Sequence, residues 1–84
     1  MQIEVEKNKE NAVIRVSGDV DLSTSPEMRK AIARLGKKKV PLIVVNLEDV
    51  EYMDSSGVAT LVEGMQLTGQ YEGGFRIACL NPGV

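Results

Sequence analysis

The sequence predicts an α/β fold, a mixed β-sheet with helices packed on it, in the element order ββαβαβ. Three observations predict it. Near the N-terminus Ile3-Glu4-Val5 alternates apolar and polar residues, and Val13-Ile14-Arg15-Val16 does so less cleanly, with polar Lys7-Asn8-Lys9-Glu10-Asn11 between them. That arrangement is an antiparallel hairpin. Further on, two stretches repeat their apolar residues at helical spacing. Each lies between strand-like runs, and a strand–helix–strand unit imposes parallel pairing with a right-handed crossover.

Taken in order, Gly18-Asp19-Val20-Asp21 ends the second strand with turn residues. Thr24-Ser25-Pro26-Glu27 opens a helix, with Thr24 and Glu27 at capping-box spacing and Pro26 tolerated in the first turn. Met28, Ala31, Ile32 and Leu35 form its apolar stripe, and Gly36 is the predicted stop. Lys37-Lys38-Lys39 complements the helix dipole and is a solvated connection. Val40-Pro41 leads into a strand from Leu42 to Leu47, whose run Leu42-Ile43-Val44-Val45 suits burial on both faces. Glu48-Asp49 is a predicted turn. A second helix runs from about Ser56 to about Tyr71, with Val58, Leu61, Val62 and Met65 at i, i+3, i+4 and i+7 as one apolar face. Glu72-Gly73-Gly74 breaks it, Phe75 to Leu80 is the last strand, and Asn81-Pro82-Gly83 is a stop signal.

Eighty-four residues make one domain, and one this small buries only roughly 60–65% of its unfolded surface. A hydrophobic fraction of 43% argues against disorder. A net charge of −2 makes no broad case for binding nucleic acid or an anionic membrane. No apolar stretch approaches the ~20 residues of a transmembrane helix, so membrane insertion is not expected. Met1-Gln2-Ile3-Glu4-Val5-Glu6 lacks the basic and apolar regions of a secretion signal. The single Cys79, in an apolar run, fits a buried inert thiol in a reducing cytoplasm. The chain has no histidine, which removes the commonest acid–base catalyst and metal ligand. Nucleophile-elbow, phosphate-loop and Cys/His metal patterns are missing too. Glu48, Asp49, Glu51 and Asp54 fall where turns and caps are predicted, so no enzyme activity, cofactor or metal is expected.

The centre of the chain is Tyr52-Met53-Asp54-Ser55-Ser56-Gly57, between the strand-like run and the second helix. Asp54 and Ser55 are both candidate N-caps, because a short side-chain oxygen can accept the unpaired amides of the first turn. The same amides and the helix dipole attract anions, so a phosphorylatable hydroxyl at Ser55 stands where a phosphate is most strongly felt.

Gly18-Asp19-Val20-Asp21, Asn46-Leu47-Glu48-Asp49-Val50 and Met53-Asp54-Ser55-Ser56-Gly57 occur in this order and spacing. The chain thereby resembles the STAS domain, and within it the anti-sigma-factor antagonists of the SpoIIAA and RsbV type. The resemblance runs from near Ile3 to about Pro82, and Asp54-Ser55-Ser56-Gly57 is its most specific part. It implies that Ser55 is phosphorylated by a cognate anti-sigma factor acting as a serine kinase, that the unphosphorylated chain binds this kinase and frees the sigma factor, and that a serine phosphatase reverses the modification. It implies a partner-binding surface of Asp21, Ser23, Thr24, Asp54, Ser55, Ser56 and Gly57. Both serines after Asp54 favour this phosphorylated type over a non-phosphorylated scaffold subunit of a transporter or stress-sensing complex. In the family further helices and a strand follow, so residues 1–84 are expected to form a single domain truncated at its C-terminus. Apolar surface exposed near Phe75 to Leu80, and with it homodimerisation, strand exchange or low stability, is the consequence.

Overall fold

The computed structural model describes residues 1–78. Its elements are β1 (Gln2–Lys7), β2 (Asn11–Val20), α1 (Ser25–Lys37), β3 (Leu42–Met53), α2 (Ser55–Gly69) and β4 (Gly74–Ala78). They form one four-stranded sheet in the order β1-β2-β3-β4, with β1 antiparallel to β2 and the other two pairings parallel. This is the mixed sheet and ββαβαβ order that the sequence predicts. The end of the last predicted strand, the Cys79 thiol and the Asn81-Pro82-Gly83 stop lie outside the described residues.

The hairpin turn is made by Asn8, whose side-chain oxygen accepts the amides of Glu10 at 2.9 Å and Asn11 at 2.7 Å. Right-handed crossovers carry β2 to β3 and β3 to β4 in one direction, which stacks α1 and α2 on the same face of the sheet. Ile14, Val16 and Val20 of β2 and Ile43, Val45, Leu47 and Val50 of β3 are buried under them. Met28, Ile32 and Leu35 close the core from α1. Full burial of one such side chain is worth roughly 1.5–3 kcal/mol.

Several local expectations are corrected. Leu42 and Val44 are only half-buried, because with both helices on one face the strand alternates instead of being buried on both sides. There is no turn at Glu48-Asp49: β3 continues to Met53 and takes up the surplus residues as bulges, at the register shifts between Arg15 and Ser17 and between Gly18 and Asp19. Glu48, Asp49 and Glu51 are therefore exposed strand residues. Nor does Gly18 start a turn; it carries β2 through the second shift at φ 86°. Gly36 does not stop α1. It is buried within the helix, where a Cβ would meet Leu67 Cδ2 at 2.3 Å, and the left-handed position after the helix is Lys39 at φ 52°. Its amide donates to the Gly36 carbonyl and the Val40 amide to the Leu35 carbonyl, the two bonds of a Schellman motif.

The largest correction concerns α2. Leu61 is buried, but Val58, Val62 and Met65 are 53%, 45% and 46% exposed. The helix instead buries Gly57, Thr60, Leu61, Gly64 and Thr68, a narrow face that lets it approach the sheet closely. The buried hydroxyls are satisfied within the helix, Thr60 donating to the Ser56 carbonyl at 2.9 Å and Thr68 to that of Gly64 at 3.0 Å. On β4, Phe75, Ile77 and Ala78 are half-buried, with Phe75 and Ile77 packed on the core. Among the described residues the exposed large apolar side chains are Val5, Leu22, Tyr52 and, on α2, Val58, Val62 and Met65; none is on Gly74–Ala78. Among the described residues no helix is long and apolar enough to cross a membrane.

Candidate functional site

Because β2 and β3 run parallel, their C-terminal ends lie side by side. Val20 pairs with Met53, and the amide of Asp54 donates to the Val20 carbonyl at 3.0 Å. The turn after β2 and the first turn of α2 therefore share one end of the sheet. This brings the two groups of predicted site residues together, Asp21, Ser23 and Thr24 on one loop and Asp54 to Gly57 on the other.

Asp54 is the N-cap of α2, in extended conformation at φ −93° and ψ −173°. Its Oδ1 accepts the Ser56 amide at 2.9 Å, the Ser56 hydroxyl at 2.5 Å and the Gly57 amide at 3.4 Å. The Ser56 hydroxyl is the largest of the influences that hold the Asp54 carboxyl below its usual range; the Ser56, Gly57 and Leu22 amides add to it, and partial desolvation opposes. The alternative that Ser55 caps the helix is not realised. Ser55 is the first helical residue, exposed, and its hydroxyl has no hydrogen-bond partner among the described residues. Ser56 is half-buried and Gly57 buried. A Cβ on Gly57 would stand 2.5 Å from Met53 Cγ and 2.9 Å from Val20 Cγ1, so this glycine lets α2 rest on both strand ends.

The neighbouring loop is built around Asp21. Its Oδ1 accepts the amide and hydroxyl of Ser23 at 2.9 and 2.7 Å and the amide of Thr24 at 3.2 Å. These bonds, led by the Ser23 hydroxyl, lower the pKa of its carboxyl. Thr24 Oγ1 accepts the Asp21 amide at 2.9 Å and donates to the Asp19 carbonyl at 2.9 Å. The predicted Thr24–Glu27 capping box does not form, since the Thr24 side chain makes no cap bond to α1 and is spent on this loop.

Sequence reasoning missed the apolar part of this end. Leu22, between Asp21 and Ser23, is 79% exposed, and its amide lies by the Asp54 carboxylate. An apolar residue inside an otherwise polar turn was the available signal. Val58, one turn beyond Asp54, continues the patch; its amide donates to the Asp54 carbonyl at 3.3 Å. The charges are segregated as well. From Val16 to Met28 and from Val40 to Phe75 every charged side chain is an acid, whereas Lys9, Lys38 and Lys39 belong to the loops at the other end of the sheet, with Lys7 and Lys37 beside them as the last residues of β1 and α1. There the Lys38 amine lies beside that of Lys7 and lowers its pKa. Among the described residues only Arg15–Glu6 and Arg29–Glu63 form ion pairs, so the carboxylates around Ser55 have no basic partner.

A mixed sheet with two helices on one face, ending in a capped serine loop, is the architecture of a STAS domain. Residues 2–84 match that family, and the chain belongs to it. Within the family it is of the anti-sigma-factor antagonist, SpoIIAA type. It is 29% identical over 85 residues to the anti-sigma F factor antagonist of Paenibacillus polymyxa, covering 100% of this chain and 73% of the relative. The structure of the anti-sigma factor antagonist SpoIIAA in its unphosphorylated form superposes with a TM-score of 0.85 at 26% identity, over 96% of this chain and 76% of that one. The Bacillus cell fate determinant SpoIIAA in the phosphorylated form superposes with 0.76 at 29% identity, over 96% and 73%. Among the described residues no three His, Cys, Asp or Glu side chains are grouped to hold a metal ion.

Proposed function

We propose that the chain is a cytoplasmic anti-sigma-factor antagonist. In this reading it binds a cognate anti-sigma factor that is also a serine kinase, and so frees a sigma factor. Phosphorylation of Ser55 switches that binding off, and a serine phosphatase restores it. The contact surface is Asp21, Ser23, Thr24, Asp54, Ser55, Ser56 and Gly57.

The observation that carries the reading is the division of labour between the two serines. The Ser56 hydroxyl is committed to Asp54 and half-buried, whereas that of Ser55 is exposed and free of partners among the described residues. A kinase meets no competing bond at Ser55. Phosphorylation there adds about 1.5–2 negative charges at a helix N-terminus, which accommodates them, and beside Asp54, which repels them. The two effects oppose each other within the domain, so the fold need not change. Binding is lost because a bulky, charged group enters an interface, where an unpaired charge costs several kcal/mol to desolvate. The likeness of this chain to SpoIIAA in both the unphosphorylated and the phosphorylated form supports such a switch without refolding.

The test is incubation with the candidate anti-sigma kinase of the source organism and ATP, followed by mass spectrometry and a pull-down. Phosphate on Ser55 and not on Ser56, with loss of kinase binding, is expected. Ser55→Ala is expected to bind irrespective of ATP, and Ser55→Asp to bind poorly. If ATP leaves wild-type binding unchanged, or Ser55→Asp binds as tightly as Ser55→Ala, phosphorylation at Ser55 is not the switch. A scaffold role in a transporter or stress-sensing complex then takes precedence.

A further inference from the structure

We propose that the basic surface formed by the hairpin turn after β1 and the C-terminal half of α1 binds anionic lipid headgroups, and so holds the domain on a negatively charged membrane by charge alone, without insertion. This goes beyond the antagonist reading and does not depend on it.

The net charge of −2 conceals how the charges are placed. Lys30, Arg34, Lys37 and Lys38 stand at i, i+4, i+7 and i+8 and line the outer face of α1, opposite the buried Met28, Ile32 and Leu35. Lys39 follows in the loop, and from Arg29 to Lys39 no acid interrupts them. Lys7 and Lys9 come from the hairpin. It meets the same end because Asn11 pairs with Leu42 and the Leu42 amide donates to the Glu10 carbonyl at 3.1 Å. All these cations are exposed. None is ion-paired among the described residues, where the ion pairs are Arg15–Glu6 and Arg29–Glu63. The acids of this end are Glu10 in the hairpin turn and Glu72 in the turn before β4. The surface is also clear of the chain's continuation, since β4 lies at the opposite edge of the sheet from β1 and runs away from this end.

Cations in the last turn of a helix complement its dipole, which accounts for Arg34 and Lys37. It does not account for Lys7 and Lys9, which belong to another element. Nor does it account for the Lys7 amine lying beside that of Lys38, a like-charge contact that lowers the Lys7 pKa. An anionic oxygen between the two amines relieves that repulsion. Three occupants carry the needed charge. The acidic end of a second copy brings only exposed ion pairs, each of which adds little against the entropy of association. Nucleic acid is held by arginine forks and by bases stacked on aromatic rings. Here the two loops offer only lysine, and the Tyr71 hydroxyl of the neighbouring turn is spent on the Val40 carbonyl at 2.8 Å. A bilayer needs neither device: each lysine near an anionic surface strengthens binding about fivefold through its charge. β2 and β3 run from this end to the serine loop, so a domain held here presents Ser55 away from the membrane.

The test is cosedimentation of the whole chain with vesicles of phosphatidylcholine, alone or with about 30% phosphatidylglycerol, at about 0.05 M and about 0.5 M NaCl. The variants are the double substitution Lys7→Gln with Lys38→Gln and, as a control of the same net charge, Arg15→Gln with Arg76→Gln at exposed positions of β2 and β4. Circular dichroism verifies that each is folded. At low salt the wild-type chain is expected to bind the anionic vesicles at least about tenfold more strongly than phosphatidylcholine alone. The higher salt is expected to weaken this about tenfold. The Lys7/Lys38 variant is expected to lose about tenfold or more, and the Arg15/Arg76 control less than about threefold. Wild-type binding that is no stronger to the anionic vesicles, or is indifferent to salt, overturns the proposal, as do equal losses in the two variants. A duplex DNA oligonucleotide is the third probe. If it binds and the Lys7/Lys38 variant releases it, while vesicles of both compositions stay free, the surface belongs to nucleic acid and the membrane is excluded. Phosphorylation of Ser55 is read separately by mass spectrometry, so failure here leaves the antagonist reading standing.

Discussion

The Asp54 carboxylate takes the Ser56 hydroxyl at 2.5 Å and passes over Ser55, its immediate neighbour. The helix start and the exposed serine are thereby separate functions of adjacent residues. Asp54→Ala removes the acceptor of two first-turn amides and of a hydroxyl, and Ser55, already inside the helix, cannot replace it. A clear drop in the urea midpoint is expected, with a smaller one for Asp54→Asn. Ser55→Ala removes no hydrogen bond and is expected to stay within about 0.5 kcal/mol of wild type. Equal destabilisation by Asp54→Ala and Ser55→Ala contradicts this division.

Acid should find the same loops. Asp54 and Asp21 both have folded-state pKa values lowered mainly by serine hydroxyls, Ser56 and Ser23 respectively. A lowered carboxylate pKa contributes stability that is fully present above the unfolded value, near 3.9, and is lost as pH falls through the folded one. Stability is therefore expected to be insensitive to these two groups around neutrality and to decline below about pH 4. Asp21→Asn with Asp54→Asn should flatten that decline, read by urea melts over the acid range. An unchanged acid limb in the double variant counts against the assignment.

Gly64 lets α2 approach β4. A Cβ there would stand 2.5 Å from Phe75 Cε2, 2.7 Å from Phe75 Cζ and 3.3 Å from Ile32 Cγ2. Gly64→Ala gains up to about 1 kcal/mol of helix propensity but must displace an aromatic ring held between α2 and the sheet. Overpacking of that kind costs about 1–3 kcal/mol, so net destabilisation is expected in a thermal melt. The exposed Gly69, where a Cβ meets nothing within 4 Å, is the control: Gly69→Ala should be neutral or stabilising. Both substitutions behaving alike refutes a packing role for Gly64.

How far the sequence reveals this molecule depends on which forces act locally. The hairpin was legible, because alternation and an Asn-centred turn are short-range signals. So were both crossover units and the Asp54 cap. The orientation of α2 was not. Val58, Leu61, Val62 and Met65 have the period of a buried stripe, but the helix meets the sheet through Gly57, Thr60, Gly64 and Thr68, whose small size matters only once Phe75 and Met53 are in place. The continuation of β3 through Glu48 and Asp49 was hidden for a similar reason. Turn propensity is overridden there by pairing with β2, and the surplus residues become bulges. In the site, the serine motif could be read, but the apolar row beside it was legible only as one face of a helix.

Gly36 and Lys39 carry the final prediction. The sequence places glycine where α1 is predicted to stop, yet the left-handed residue falls three positions later, on a lysine at φ 52°. A side chain in that conformation costs roughly 1–2 kcal/mol. Lys39→Gly removes this strain while the two Schellman bonds, from the Lys39 and Val40 amides, remain available to the backbone. Against the gain stands the greater freedom of glycine in the unfolded chain, about 0.4–1 kcal/mol. The balance favours a net stabilisation of about 0.5–1 kcal/mol. Lys39→Val, with a branched Cβ at the same φ, should destabilise. Lys38→Gly, one position earlier at φ −82°, relieves nothing and should lower stability through entropy alone. Denaturant midpoints of the three variants decide it: a stability order in which Lys39→Gly does not exceed wild type, or in which Lys38→Gly matches it, shows that backbone conformation at Lys39 is not a source of strain.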